Sequence, residues 1–245
     1  MTIAPVVRNV IVSASADVAY AAWTDRIGEW WPLSRHSVYQ KDNTVAWIDD
    51  QIVETASSGE SNVWGRILES NPPGNLSFTW HPGRGPESAS TVAVDFVPIA
   101  DGRTLVRLTH SGWEIFDEPA DARDEYRNGW PTVLAGFRDS VPAGETDNQD
   151  VWLVLEHRPG NVVAGPVFGH PLFAEHLAFV GSMKDKGVLI AAGPLPDDPG
   201  VGQTIIKVPA ADAARYVEAA HDDGAVRGDL LVLRVRPWNV MVPGG

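Results

Sequence analysis

The sequence predicts an α+β protein in two parts. Three observations carry that reading. A series of strand-like runs and one long helical stripe fill the first 141 residues, a βαββαβ order follows from about residue 151, and a polar stretch joins them. Antiparallel strands followed by one long helix imply a curved sheet wrapped on that helix.

The first part opens with a β-branched alternation over 6–12, then Ser13-Ala-Ser-Ala-Asp17. A short helix is expected over 18–23 and a second near 27–31. Strands are expected over 46–54, 63–69, 76–81, 91–98 and 104–109. Pro72-Pro73-Gly74-Asn75 and Asp101-Gly102 supply turns between them. Over 121–141 the residues Tyr126, Trp130, Val133, Leu134 and Phe137 fall on one helical stripe. Pro131 sits inside it, so a kink or restart is expected there. Ser140 to Asp150 is polar, carries Pro and Gly and has no periodicity. It reads as a linker between domains 1–145 and 146–245.

In the second part, strands are expected over 151–156, 187–192, 203–208 and 230–235, with helices over 171–186 and 210–220. That order predicts a ferredoxin-like sandwich with helices on one sheet face. The bare face needs a cover, and pairing with a second copy through Trp152–Leu155 and Leu230–Val235 would supply it.

Composition narrows the function. The 245 residues carry a net charge of −13, which argues against binding nucleic acid or an anionic membrane. There is no cysteine, so disulfides, thiolate metal sites and a cysteine nucleophile are excluded. No apolar run is long enough to span a membrane, and residues 1–8 do not read as a signal peptide, so a cytoplasmic protein is expected. No P-loop, GxGxxG or HExxH occurs, and His170 and His176 are not at a helical metal-pair spacing; no cofactor and no metal are expected.

Eight of the ten tryptophans lie in the first part. They read as core filling or as the wall of an aromatic cavity. Strand alternation puts Leu76, Phe78 and Trp80 on one face, then Val92, Val94 and Phe96, then Val106, Leu108 and His110. His110 is the polar member of an apolar row. It is either a hydrogen-bonded core histidine or a polar group inside an elongated pocket. In the pocket reading Trp80, Phe96, Leu108, His110 and Trp130 are the ligand-binding residues.

The motifs Glu29-Trp-Trp-Pro32, Trp64-Gly-Arg-Ile-Leu68, Pro72-Pro73, Leu76-Ser-Phe-Thr-Trp80, Leu108-Thr-His-Ser-Gly-Trp113 and Gly129-Trp-Pro-Thr-Val-Leu134 occur in this order. So arranged, residues 6–141 resemble the bacterial homologues of the activator of heat-shock protein 90 ATPase, within the START-like helix-grip (SRPBCC) superfamily. The resemblance implies a sheet gripping a long helix with a cavity between them. It does not by itself imply a chaperone role.

In the second part, His176 lies on the stripe of Leu172, Phe173, Phe179 and Val180. It is either a structural histidine or a neutral imidazole oriented by a carboxylate for acid–base work. Asp197, Asp198, Asp222 and Asp223 are the loop carboxylates that could serve, and spacing alone does not choose among them. Glu175-His-Leu-Ala-Phe179, Gly187-Val-Leu-Ile-Ala-Ala-Gly-Pro194 and Val235-Arg-Pro-Trp238 resemble the YciI-related family of dimeric α+β barrels. That family includes a dehydrohalogenase-type activity on chlorinated hydroxyaromatics. The resemblance implies a catalytic pair of His176 and Asp222, with Asp222-Asp223-Gly224 standing where the family has Asp-Pro. The expected function is a two-module protein that binds a small hydrophobic molecule. Its His/Asp site would eliminate or isomerise a cyclic or aromatic compound, as a lyase or isomerase. The competing readings are a non-catalytic ligand-binding or regulatory protein and a chaperone partner.

Overall fold

The computed structural model describes residues 3–144, 149–162 and 165–241. The central residues of the expected linker, 145–148, lie outside the described residues. Seven strands form one antiparallel sheet in the order β1-β7-β6-β5-β4-β3-β2: β1 (Val6–Val12), β2 (Asn43–Ile48), β3 (Gln51–Ala56), β4 (Ser61–Asn71), β5 (Asn75–Trp80), β6 (Ser90–Ala100) and β7 (Arg103–Ser111). The helices α1 (Ala16–Asp25), α2 (Ile27–Trp30) and α3 (Pro119–Ser140) cover its inner face. The run expected as one strand over 46–54 is two, because Asp49 turns the chain with φ of 53°. Aspartate tolerates that left-handed conformation better than most residues do. The Pro72–Pro73 peptide in the β4–β5 turn is cis.

The alternating rows face inward as expected. Leu76, Phe78, Val92, Val94, Val106 and Leu108 are all buried, opposite Trp130, Val133, Leu134 and Phe137 of α3. β4 and β5 approach so closely at Gly65 that a Cβ there would lie 1.8 Å from the Thr79 carbonyl oxygen.

Of the kink or restart expected at Pro131, the restart does not occur: α3 runs unbroken through that residue. Proline cannot donate to the carbonyl four residues back, here Arg127. The Arg8 side chain on β1 donates to that oxygen from Nη2 at 2.9 Å and satisfies it. The freed acceptor is used rather than orphaned, so the helix does not have to open to hydrate it.

The second sheet is antiparallel in the order β11-β8-β10-β9: β8 (Asp150–Pro159), β9 (Leu189–Pro194), β10 (Gly202–Pro209) and β11 (Leu231–Pro237). α4 (Phe173–Asp185) and α5 (Ala213–His221) follow β8 and β10. A helical turn that the sequence reading missed, α6 (Gly224–Arg227), comes after α5. The inward residues Val151, Leu153, Leu155, Ile206, Val208, Leu233 and Val235 are buried. Ile11 and Leu105 of the first sheet join that same cluster, so the back of the first sheet packs on the second part.

Polar groups lock this junction. Arg123 of α3 and Asp229, both buried, pair through two bonds of 2.7 and 2.8 Å, and Arg123 Nε donates to the Ala4 carbonyl at 2.7 Å. The buried Asn9 side chain of β1 donates to the Leu233 carbonyl and accepts from the Val235 N–H, each at 3.4 Å. It meets the outer edge of β11 as another strand's amide would.

Candidate functional site

The tryptophans of the first part divide between core and cavity. Trp23, Trp30 and Phe137 pack edge-on or tilted at 4.9–5.2 Å and fill the end of the sheet nearest α1. Trp31, Trp64, Trp80 and Trp130 wall a cavity of about 390 Å³ at the other end. Arg35, Arg84 and Glu125 also line it. Burial above all raises the pKa of the Tyr126 hydroxyl, while the Arg84 charge and the neighbouring Trp80 N–H lower it. The buried Trp80 N–H faces that hydroxyl without a hydrogen-bonding geometry and has no partner of its own among the described residues. Such an unmatched group beside apolar rings can orient a ligand that carries a polar atom.

Of the five expected ligand-binding residues, Trp80 and Trp130 line this cavity and the other three do not. Phe96 is sealed against Tyr20 and Trp23. Leu108 and His110 are fully buried. The indole N–H of Trp130 only donates, so His110 Nδ1 accepts it, at 3.1 Å. His110 Nε2 then carries the proton and donates to Ser90 Oγ at 2.8 Å, and that hydroxyl donates to the Trp80 carbonyl at 3.0 Å. Burial drives the His110 pKa down to about 3. This is the core-histidine reading, with every ring nitrogen used. The Trp80 and Trp130 rings stand on the cavity side, which is why the row behind them does not reach it.

The strand reading stopped short of a role for Glu54. Its buried carboxylate accepts from Ser37 Oγ at 2.6 Å, the Val38 and Tyr39 N–H groups, Asn43 Nδ2 and Trp64 Nε1 at 2.9 Å. Burial pushes its pKa up, but these donors outweigh it and hold the pKa below the ordinary value. Glu54 therefore anchors the 37–43 segment and one cavity tryptophan. A carboxylate as the polar end of an inward strand row was the available signal.

The second part holds a separate cleft of about 280 Å³. His176 sits on its wall, where α4 turns the His176, Phe179 and Met183 stripe inward. The partner of His176 is Asp223, not Asp222: Nδ1 lies 2.6 Å from Asp223 Oδ2. Asp222 caps the C-terminus of α5 and is exposed. Asp223 is buried because its Oδ1 also accepts the Ala225 N–H at 2.9 Å and starts α6. Recognising Asp223-Gly224 as a helix start would have separated the two aspartates. A carboxylate only accepts, so Nδ1 carries the His176 proton and Nε2 is left free of partners among the described residues.

His157 also lines this cleft and was not anticipated. It continues the inward row Val151, Leu153, Leu155, and the same alternation that singled out His110 reaches it. It is 2% exposed, and neither ring nitrogen has a hydrogen-bond partner among the described residues, although the Leu155 carbonyl is close. Burial above all lowers its pKa to about 3. Ligating atoms of His157, His176 and Asp223 lie within 4.8 Å of one another. Each Asp223 oxygen already accepts one hydrogen bond, so the two imidazoles supply the ligand atoms left free of partners among the described residues.

No helix among the described residues is long and apolar enough to cross a membrane. No curated protein matches the chain. Among solved structures, the Aha1 dimer of Colwellia psychrerythraea is 18% identical, covering 58% of this chain and 99% of its own, with a TM-score of 0.43. The self-sacrificing resistance protein CalC of Micromonospora echinospora is 21% identical, covering 56% and 94%, with a TM-score of 0.41. The anthrahydroquino-γ-pyrone synthase Txn09 is 28% identical, covering 56% and 97%, with a TM-score of 0.40. The curled sheet around α3 is a START-like helix grip. Residues 13–141, more than half of the chain, match the family described as Activator of Hsp90 ATPase homolog 1-like protein, and the chain belongs to that family.

Proposed function

We propose that the chain comprises two domains, 1–145 and 146–245, with separate tasks. The first holds a small hydrophobic molecule in the tryptophan-walled cavity. The second is a YciI-like, ferredoxin-fold domain that moves a proton on a small cyclic or aromatic compound in an elimination or isomerisation. The observation that carries this reading is the His176–Asp223 bond of 2.6 Å at the wall of a cleft with room for a small molecule.

Asp223 fixes the tautomer that leaves Nε2 bare. Nε2 can then take a proton from a substrate carbon, and the electrons of the broken C–H bond form the new double bond as a leaving group departs or a carbonyl is converted to its enolate form. The imidazolium so formed is stabilised by the adjacent carboxylate. The outer face of the second sheet carries Val154 and Ile205, with Trp152 against the half-exposed Trp238 at 5.8 Å; we propose that it pairs with a second copy.

Solvent-deuterium incorporation into a panel of cyclic and hydroxyaromatic compounds tests the acid–base reading. Wild-type protein is expected to exchange at least one of them, and His176→Ala to lose about 10²–10⁴-fold in rate while its circular dichroism is unchanged. Binding to both cavities without any exchange would favour a ligand-binding or regulatory protein instead. A monomer in light scattering at micromolar concentration would remove the proposed pairing. The chaperone-partner reading rests on family membership alone.

A further inference from the structure

His157 is a buried histidine whose ring makes no hydrogen bond of standard geometry among the described residues, although the Leu155 carbonyl lies close to it. Both ring nitrogens are unpartnered among the described residues, the residue is 2% exposed, and it borders the cleft rather than the solid core. Native interiors seldom leave such groups unmatched; a recurring exception is a group whose partner arrives with a ligand. Its ring centroid is 4.5 Å from that of His176, with the planes 62° apart. Two imidazoles so placed can reach neighbouring atoms of one small molecule.

The two rings differ in what they can do. Asp223 holds a proton on His176 Nδ1, so the neutral ring offers Nε2 as an acceptor at the cleft wall. No carboxylate among the described residues is bonded to His157, and its low pKa keeps it neutral. It offers one N–H and no charge. The rest of the cleft wall is mostly apolar, with Phe168, Phe173, Val180 and Leu231; its other polar side chains are the neutral Gln203 and Thr204, and no lysine or arginine among the described residues lines it. A carboxylate or phosphate ligand would enter without a countercharge, whereas a neutral carbonyl compound would not need one.

We propose that His157 is a catalytic residue of this cleft, and that the substrate class is a neutral cyclic carbonyl compound whose oxygen accepts the His157 N–H. The proposal rests on the reading of His176 as the base. His176 Nε2 removes a proton from the carbon next to the carbonyl. The electron pair of that C–H bond becomes the C=C of an enolate, and the carbonyl π electrons move onto oxygen. The His157 N–H donates to that oxygen throughout and gives up no proton. Reprotonation from the imidazolium, at the same carbon or a conjugated one, restores every atom and charge. A donor aimed at the place where negative charge develops stabilises the transition state more than the ground state.

The probe is 2-indanone in deuterated buffer, with exchange of its ring CH₂ protons followed by proton NMR. Wild-type protein is expected to exchange it. His157→Phe should lower the rate by about 10²–10³-fold, and His157→Gln, which keeps a donor, should recover part of the loss. His176→Ala should lower exchange by about 10²–10⁴-fold yet leave binding of the ketone within a few-fold. Wild-type rates in His157→Phe would overturn the role of His157 and leave the base in place. Wild-type rates in His176→Ala would overturn the base, and the proposal with it. In case His157→Phe does not fold, the ¹⁵N resonances of the wild-type imidazoles give a second reading. The His157 signal should report a neutral ring and move on saturation with 2-indanone. A stationary His157 signal, or no exchange by wild type, overturns the proposal. So does stoichiometric Zn²⁺ binding that excludes the ketone and is lost in His157→Gln.

Discussion

Replacing Arg123 by methionine tests the junction between the two sheets. The guanidinium is 1% exposed, and its carboxylate partner Asp229 is 5% exposed. The two groups share bonds of 2.7 and 2.8 Å, and Nε holds the Ala4 carbonyl. Methionine fills most of the volume but removes every donor. It leaves the Asp229 carboxylate without a hydrogen-bonded cation in a buried site, with only the more distant Arg8 charge to offset it. Losing one partner of a buried pair costs about 3–5 kcal/mol. For a chain of this size that corresponds to a fall in Tm of about 6–20 °C. The double variant Arg123→Met, Asp229→Asn removes the stranded charge, and asparagine tolerates the left-handed backbone at 229, where φ is 58°. It should regain at least half of the loss, so the two substitutions are strongly non-additive. Urea unfolding of all four proteins, followed by far-ultraviolet circular dichroism, closes the cycle. A loss below about 1 kcal/mol in Arg123→Met would refute the reasoning, since it would mean that water already solvates the pair as at a surface.

Two further outcomes follow from buried ionisable groups. Burial lowers the pKa of His110, His157 and His221 to about 3, below the ordinary histidine value, so the unfolded chain binds protons that the folded chain refuses. Their full contribution is present above about pH 6.5 and is lost as pH falls toward the folded value, by up to roughly 1.4 kcal/mol per pH unit for each ring. Urea midpoints measured from pH 8 to pH 5 should therefore fall, and a flat profile would contradict the burial of these rings. Glu54 also has a depressed pKa, so its contribution is present above the ordinary carboxylate pKa and lost as pH falls through the folded value. Glu54→Gln replaces an acceptor-only carboxylate by an amide whose NH₂ group meets some of the five donors head-on, and should cost about 1–3 kcal/mol, with changed Trp64 emission in the fluorescence spectrum; unchanged stability and emission would show that the carboxylate does not organise the cavity wall.

What was legible in the sequence followed from local periodicity. The rows ending in Trp80, Phe96 and His110 alternate as residues on a half-buried strand must, and α3 keeps its stripe from Tyr126 to Phe137. What was not legible depends on partners far along the chain. Arg8 rescues the carbonyl that Pro131 frees, from 119 residues away from Arg127. The cavity lies on one side of Trp130 and the satisfied His110 on the other, a division set by how two sheet rows meet a helix. The choice of Asp223 over Asp222 turned on which of two adjacent residues begins a helical turn. His176 was found because a helix stripe displays it, whereas His157 lay one residue beyond the expected end of its strand.

The Asn9 bridge has a consequence for how the chain comes off the ribosome. β1 is synthesised more than 200 residues before β11, the strand edge it meets. An uncovered edge in a growing chain is a template for pairing with a neighbouring chain. Here the covering group is already in place when the edge first exists. The second sheet is thus completed against a surface that has been waiting for it, and the interval in which β11 could recruit another molecule is short. A shortened chain that began after β1 would make the same strand with no such protection.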